Sequence, residues 1–281
     1  MNKENILFLL NNLKFLGFGE EKSLSEQLWE GISRQSKEFQ LHVESFYDDD
    51  YKMDISLYFK NGENTDRYYF NKYHAVLMKA DAPERDRMQT FYIRKGIGIT
   101  MKEAYNMLQG RAVNRNMISF EGERFNAWMQ LNFAEMTPSH NYRMKLFRPE
   151  YGYDLEVVLK SYPIRELQME ESKANLLKAL RRGNLQPVHF LKVKKEEKMY
   201  IEANPQFKTI NIYSSTSNAL QKLYKKQDSI FKTGVQEIPE GLEDPQVDEW
   251  EEENSVSVEE SEGETEQVTV GNPAPPKKGK N

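Results

Sequence analysis

Two stretches of this chain repeat one order of elements: a short amphipathic helix, a glycine and two strands. They are residues 100–133 and residues 173–213. In the first stretch, Met101, Ala104 and Leu108 are spaced so that they lie on one face of a helix. A helix of this kind must bury its apolar face against other elements, so the sequence predicts a helix packed on the strands that follow it.

Both predicted helices have recognisable ends. Thr100 and Glu103 have the spacing of a capping box at the start of the first helix. Gly110 and Gly183 each stand where a C′ glycine would end a helix. A second strand follows each glycine at a similar distance along the chain. The sequence therefore predicts a tandem pair of helix–β-hairpin (αββ) units, in a repeat domain over residues 94–233.

The residues before the repeats, 1–93, indicate an N-terminal α+β domain. Residues 2–16 carry a leucine-rich stripe at helical spacing, and a second helix follows. Between residues 39 and 59, apolar and polar side chains alternate with period two, which is typical of strands with one buried face. Asn61-Gly62 is a strong hairpin signal. The prediction is N-terminal helices packed on an antiparallel sheet, so the fold class is α+β.

Charge is divided unevenly along the chain. The net charge is −5, but residues 234–281 contain 14 acidic and three basic side chains and few aromatic ones. Such a segment cannot bury enough apolar surface to fold, so a disordered acidic tail is predicted. The remaining residues have a net charge of +6, concentrated in the second repeat. Nucleic-acid-binding proteins have a basic body of this kind, and so do ordinary solvated surfaces.

The chain has no cysteine, which excludes disulfide frameworks, thiolate zinc sites and cysteine nucleophiles. Its first apolar run, residues 6–10, is too short for a signal peptide or a membrane span. No later window approaches the length of a span. We therefore expect a cytoplasmic protein without a membrane partner.

Three stretches of the repeat region are distinctive: YIRKGIGITMKEAYNMLQGRAVNR, FNAWMQLNF and MYIEANPQFKTINIY. They resemble a family of uncharacterised bacterial proteins that are carried largely on conjugative and mobilisable elements and catalogued as a domain of unknown function. The earlier stretches LKFLGFGE and RYYFNKY are similar to segments that precede the repeats in that family. The resemblance covers roughly residues 5–213 and is most specific at EANPQFKTIN. It implies a mobile-element context and a non-secreted protein, and it carries over no catalytic residue.

No motif of an enzyme or of a metal centre stands out. His42-Val43-Glu44 matches the start of a zinc-deaminase signature, but that chemistry needs two thiolates that this chain lacks. Residues 95–100 place two glycines before a helix, as anion-binding loops do, yet a turn that leads into the Thr100 cap explains them. We predict no catalytic residue, no cofactor and no metal ligand.

Basic and aromatic residues alternate in residues 67–73, 91–95 and 192–198. Aromatic rings on strands can stack on bases while lysine and arginine contact phosphate. The same pattern arises because aromatic residues favour strands and lysines protect sheet edges. Since the positive charge is concentrated in the second repeat, we predict nucleic-acid contacts there. The predicted contact residues are Arg181, Arg182, Lys194, Lys195 and Lys198.

A polar group on an otherwise apolar strand is predicted as an interaction surface, and it consists of Glu202, Asn204 and Gln206. Three classes of function remain open. The first is a non-enzymatic accessory binding protein of a mobile element, associated with DNA or RNA through the basic second repeat. The second is an adaptor that binds protein partners at exposed sheet edges. The third, an enzyme of unrecognised type, is the least favoured.

Overall fold

The computed structural model describes residues 2–19, 22–47, 50–62, 65–80, 82–119, 121–192 and 195–214. Within these residues there are five α-helices, together with ten strands that form three antiparallel sheets. This confirms the predicted α+β class. No helix in this part of the chain is long and apolar enough to cross a membrane. The predicted acidic tail and Lys194 lie outside the described residues.

The N-terminal part consists of two helices and a four-stranded sheet. The strand order is β1-β2-β3-β4, and every neighbouring pair is antiparallel. The elements are α1 (Lys3–Phe15), α2 (Lys22–Ser33), β1 (Glu38–Phe46), β2 (Tyr51–Asn61), β3 (Tyr68–Lys79) and β4 (Arg87–Tyr92). The helices and antiparallel sheet that the sequence predicts here are therefore present.

The period-two pattern of β2 decides which face of this sheet is buried. Met53, Ile55 and Leu57 are fully buried, whereas the residues between them are half-buried on the other face. The connection from β2 to β3 is a six-residue loop, closed where the Gly62 N–H donates to the Arg67 carbonyl at 2.9 Å. It replaces the two-residue turn that an Asn-Gly pair favours.

Buried asparagines attach α1 to the rest of the N-terminal part. The Asn5 side chain donates to the Tyr68 carbonyl at 2.9 Å and accepts from the Tyr68 N–H at 2.8 Å. The Asn12 amide donates to the Gly96 carbonyl at 2.9 Å. Because a buried polar group without a partner costs about 1–3 kcal/mol, these pairings determine where the helix can lie.

The first of the two predicted units begins with the predicted capping box. The Glu103 N–H donates to Thr100 Oγ1 at 3.3 Å, and the Thr100 N–H donates to Glu103 Oε2 at 2.9 Å. Gly110 follows the helix with φ of +91°, a left-handed conformation that favours glycine. The elements of this unit are α3 (Met101–Leu108), β5 (Val113–Ile118), β6 (Arg124–Met136) and β7 (Tyr142–Phe147).

The second unit has the same order of elements. A short helix, α4 (Leu155–Leu159), precedes it, and the Asp154 side chain caps that helix. Gly183 follows the main helix with φ of +75°. The elements are α5 (Glu170–Arg181), β8 (Gln186–Leu191), β9 (Glu196–Asn204) and β10 (Thr209–Ser214).

Each unit contains three strands, so the αββ description omits a strand in each. The sheets have the orders β5-β6-β7 and β10-β9-β8, both antiparallel meanders. In the second unit, Asn204 ends β9, and the residues after it form a turn in which Lys208 has φ of +51°. Asn204 and Pro205 therefore mark the boundary between two strands.

Two clusters of buried side chains form the core. The first lies between the N-terminal helices and sheet and continues past residue 93 to Leu108 and Met129. The second lies among α4, α5 and the last sheet, where it includes Leu180, and it also takes in Trp128 of the first unit. The first unit thus contributes to both clusters.

A buried polar junction joins the two units at their helix ends. The Asn106 amide donates to the Arg182 carbonyl at 2.7 Å and to Asn184 Oδ1 at 2.8 Å. Arg111 Nε donates to the Gly183 carbonyl at 2.9 Å, and its terminal nitrogen donates to Asn106 Oδ1 at 2.8 Å. The loop after α3 is therefore bonded to the matching loop after α5.

Candidate functional site

The N-terminal sheet has one face that the helices do not cover, which we call the open face. All of its side chains are exposed or half-buried, because the opposite face of every strand supplies the core. The side chains on this face include His42, Glu44, Lys52, Asp54, Ser56, Tyr58, Lys60, Tyr69, Lys72, His74, Thr90 and Tyr92. Strand register assigns each of them its neighbours.

A tyrosine–lysine row crosses the open face from β2 to β4. Lys72 is the register partner of both Tyr58 and Tyr92. Its Nζ lies 5.5 Å from the centroid of the Tyr58 ring, a cation–π contact. In the neighbouring row, Lys60 faces Tyr69. Three tyrosines and two lysines thus alternate on one part of the face.

Most aromatic residues of the alternating stretches 67–73 and 91–95 belong to the core instead. The buried ones are Tyr68, Phe70, Tyr73 and Phe91. The Tyr73 and Phe91 rings, for example, stack at a centroid distance of 5.2 Å. Strand propensity explains these buried rings, and only Tyr69 and Tyr92 of the two stretches lie on the open face.

The opposite corner of the open face carries an imidazole and two carboxylates. His42 Nε2 lies 3.1 Å from Asp54 Oδ1 and 3.8 Å from Glu44 Oε1. Lys52 Nζ lies 2.6 Å from Glu44 Oε1, and its hydrogen bond holds the pKa of the Glu44 carboxyl below its usual value. The HxE match that the sequence explains as chance therefore has a second carboxylate beside it in the fold.

His74 lies between the two parts of the face. Burial lowers the pKa of its imidazole, the nearby Lys72 ammonium lowers it further, and Asp54 raises it in opposition. Its Nδ1 lies 3.1 Å from the Thr90 hydroxyl. The net effect favours the neutral imidazole in the folded protein.

The predicted nucleic-acid contacts of the second unit are spread over three of its parts. Arg181 and Arg182 are exposed at the C-terminal end of α5, Lys195 is exposed in the turn between β8 and β9, and Lys198 is exposed on β9. Because Lys198 is the register partner of His189, it lies beside the middle of β8, whereas Lys195 lies beyond the end of that strand.

Acidic side chains accompany the basic ones at the tip of the β8–β9 hairpin. Lys192 forms an ion pair with Glu197, and Arg165 contacts Glu196 at 2.7 Å. The positive charge counted along the sequence is therefore partly offset in space at this end of the unit.

The predicted interaction surface is a hydrogen-bonded ladder between β9 and β10. Glu202 Oε1 accepts from the Asn211 amide at 2.8 Å and from the Tyr213 hydroxyl at 2.7 Å. The Asn204 amide donates to Asn211 Oδ1 at 2.8 Å. Gln206 lies apart from the ladder, in the turn between the strands.

The glycine-containing loop before α3 is a tight turn. Arg94 and Ile97 exchange backbone hydrogen bonds of 2.9 and 2.7 Å around Lys95 and Gly96, which both have positive φ, as a type I′ turn requires. The first amide of α3 donates to the Leu16 carbonyl at 2.8 Å. The Ile97, Thr100 and Met101 amides are therefore bonded within the protein.

Sequence reasoning did not single out Tyr58 or Lys60. Both occupy polar positions of the alternating β2 pattern, so a tyrosine on the solvent side of a strand was the available signal. The sequence of β2 does not show which residues of β3 lie beside them, because register depends on pairing between distant segments.

No family model matches the chain, no curated protein matches its sequence, and no solved structure matches its fold. The geometry of the open face and of the second unit is therefore the basis for assigning a function.

Proposed function

We propose that this chain is a non-enzymatic binding protein that engages single-stranded nucleic acid on the open face. The observation that carries the proposal is the row of Tyr58, Lys72 and Tyr92 across three neighbouring strands. Aromatic rings on such a surface stack on bases of any identity, and each stacked base contributes about 1–3 kcal/mol. A lysine between two rings provides a phosphate partner between two stacked bases.

The distribution of charge on the face supports the same proposal. Lys72 lies among the tyrosines and Lys60 lies there opposite Glu38, whereas Glu44 and Asp54 lie four register positions from the Tyr58–Lys72 pair. Positive side chains within reach of the rings favour the backbone of a bound strand, which carries one negative charge per nucleotide.

The second unit is proposed to add sequence-independent phosphate contacts. Arg181 and Arg182 are the exposed pair at the end of α5, and Lys195 and Lys198 are the pair at the hairpin. Phosphate contacts of this kind supply affinity without distinguishing sequences.

An accessory role on a mobile element and a cytoplasmic location are part of this proposal and rest on the resemblance at EANPQFKTIN.

Substitution of the two tyrosines tests the proposal. We expect Tyr58→Ala and Tyr92→Ala each to weaken binding of a short labelled single strand by about 5- to 150-fold, the equivalent of 1–3 kcal/mol. Fluorescence anisotropy of the full chain with DNA and RNA measures this. Tyr151→Ala is the matched control, since Tyr151 is half-buried, lies off the open face and has Lys208 Nζ 4.5 Å from its ring centroid.

Lys72→Gln provides a second, electrostatic test. Loss of one phosphate contact should reduce the slope of log affinity against log salt by about 0.7 for a single strand. If both tyrosine variants bind as the natural chain does while an Arg181→Ala/Arg182→Ala variant does not, the contact surface lies on the second unit. Absence of binding at low salt would contradict a nucleic-acid function altogether.

One observation favours a protein adaptor as the second candidate. Among the described residues, β1 pairs with β2 alone. At the other edge of that sheet, Asn141 Oδ1 accepts from the Thr90 N–H of β4 at 2.7 Å. A strand added to β1 would bind through backbone hydrogen bonds, so its affinity would depend little on salt.

A further inference from the structure

We propose that His42, Glu44 and Asp54 form a binding site for one divalent transition-metal ion of the zinc type at the corner of the open face. They supply one imidazole nitrogen and two carboxylate oxygens from two adjacent strands. Imidazole ligands favour zinc, copper and nickel over magnesium and calcium, which prefer oxygen alone. Three protein ligands leave a fourth position open for water or a ligand.

The distances between the donor atoms suit such an ion. Bonds of about 2.0–2.2 Å in a tetrahedral site place ligand atoms roughly 3.3–3.6 Å apart. His42 Nε2 and Asp54 Oδ1 are 3.1 Å apart, His42 Nε2 and Glu44 Oε1 are 3.8 Å apart, and all donor atoms lie within 4.8 Å of one another. Side-chain rotations alone can therefore close the site, without movement of the backbone.

The strand register gives an independent reason to expect a cation here. Glu44 is the direct register partner of Asp54, and like charges opposite each other across an antiparallel pair are destabilising. Lys52 contacts Glu44, and the imidazole of His42 contacts Asp54. A divalent ion between the two carboxylates would neutralise both at once.

Lys52 is the competitor that the ion must displace. Its ammonium occupies a position 2.6 Å from Glu44 Oε1. Replacement of this side chain by an uncharged one of similar length removes the competition and also removes a positive charge beside the ion. The Lys52→Met variant should therefore bind the metal more tightly than the natural chain.

Titration of the metal-free full chain with Zn2+ alone, followed by calorimetry, tests the site. We expect one ion per chain in the high-affinity phase. His42→Ala and Asp54→Asn should each weaken this phase by more than about tenfold, since even loss of a residue that only supports a ligand costs 10–100-fold. Lys52→Met should strengthen it.

His74→Ala is the matched control, because His74 lies on the same face but outside the cluster. The difference between variants separates this site from weak binding by the acidic residues 234–281. His42 and Asp54 are partly exposed, and circular dichroism of each variant verifies that the fold is retained. High-affinity binding that survives in His42→Ala, or no such binding in the natural chain, overturns the proposal.

Discussion

Leu108 and Leu180 occupy matching places on the main helices of the two units, and both are fully buried. We expect Leu108→Ala and Leu180→Ala each to lower the free energy of unfolding by about 2–5 kcal/mol, because each leaves a cavity in a packed core. Urea denaturation measures the loss. Leu7→Ala is the control: Leu7 is 61% exposed and should change stability by less than about 0.5 kcal/mol. A silent change at either buried leucine would contradict the packing of that helix.

A second residue, His74, makes the stability of the protein depend on pH. Its pKa is lowered in the folded protein, chiefly by burial and then by Lys72, so the unfolded chain takes up a proton first as pH falls. The free energy of unfolding should therefore decrease as pH drops below about 6.5, the ordinary histidine pKa, and level off below the folded pKa. Denaturation of the natural chain and of His74→Gln across this range measures the difference. Equal pH dependence in both would contradict the shift.

At the scale of elements, the junction between the two helix ends is the contact most specific to this fold. Arg111 is 9% exposed and bonds to the Gly183 carbonyl and to Asn106. Arg111→Ala should destabilise the protein by about 1–3 kcal/mol for each buried partner that is left unpaired. Arg165→Ala, which removes an exposed contact with Glu196, should cost only about 0–1 kcal/mol.

A double-mutant cycle decides whether the junction acts as a unit. Arg111 and Asn106 contact each other at 2.8 Å, so their combined substitution should show a coupling energy of about 0.5–3 kcal/mol. Additive losses would mean that each side chain acts alone.

The sequence predicted the helix ends of the units well, because caps are local. Thr100 with Glu103, Gly110 and Gly183 all act within a few residues of their own positions. The sequence did not separate β9 from β10 in the second unit, for the opposite reason. A polar turn such as the one after Asn204 reads equally as a bulge or as the end of a strand until a partner strand is known.

At the scale of the whole molecule, the acidic segment 234–281 and the basic remainder predict an effect of charge on binding. Removal of that segment raises the net charge from −5 to +6 and deletes an internal competitor for the cationic surface. The chain ending at Thr233 should bind single-stranded nucleic acid more tightly than the full chain. Its affinity should fall with salt at about 0.7 logarithmic units per phosphate contacted. Anisotropy titrations at several salt concentrations test this, and equal or weaker binding by the shortened chain would contradict it.

The sequence by itself determined most of the helices and strands, several of the helix ends and which side of β2 is buried. Periodicity and capping act over a few residues, so composition and spacing suffice for them. Only the tertiary structure decided that Tyr58, Lys72 and Tyr92 form a row and that Asp54 lies opposite Glu44. Strand register sets those neighbours, and register depends on the pairing of segments that are distant in the chain. The same physics placed Lys198 opposite His189 on the neighbouring strand, because a count of charges along the sequence contains no register.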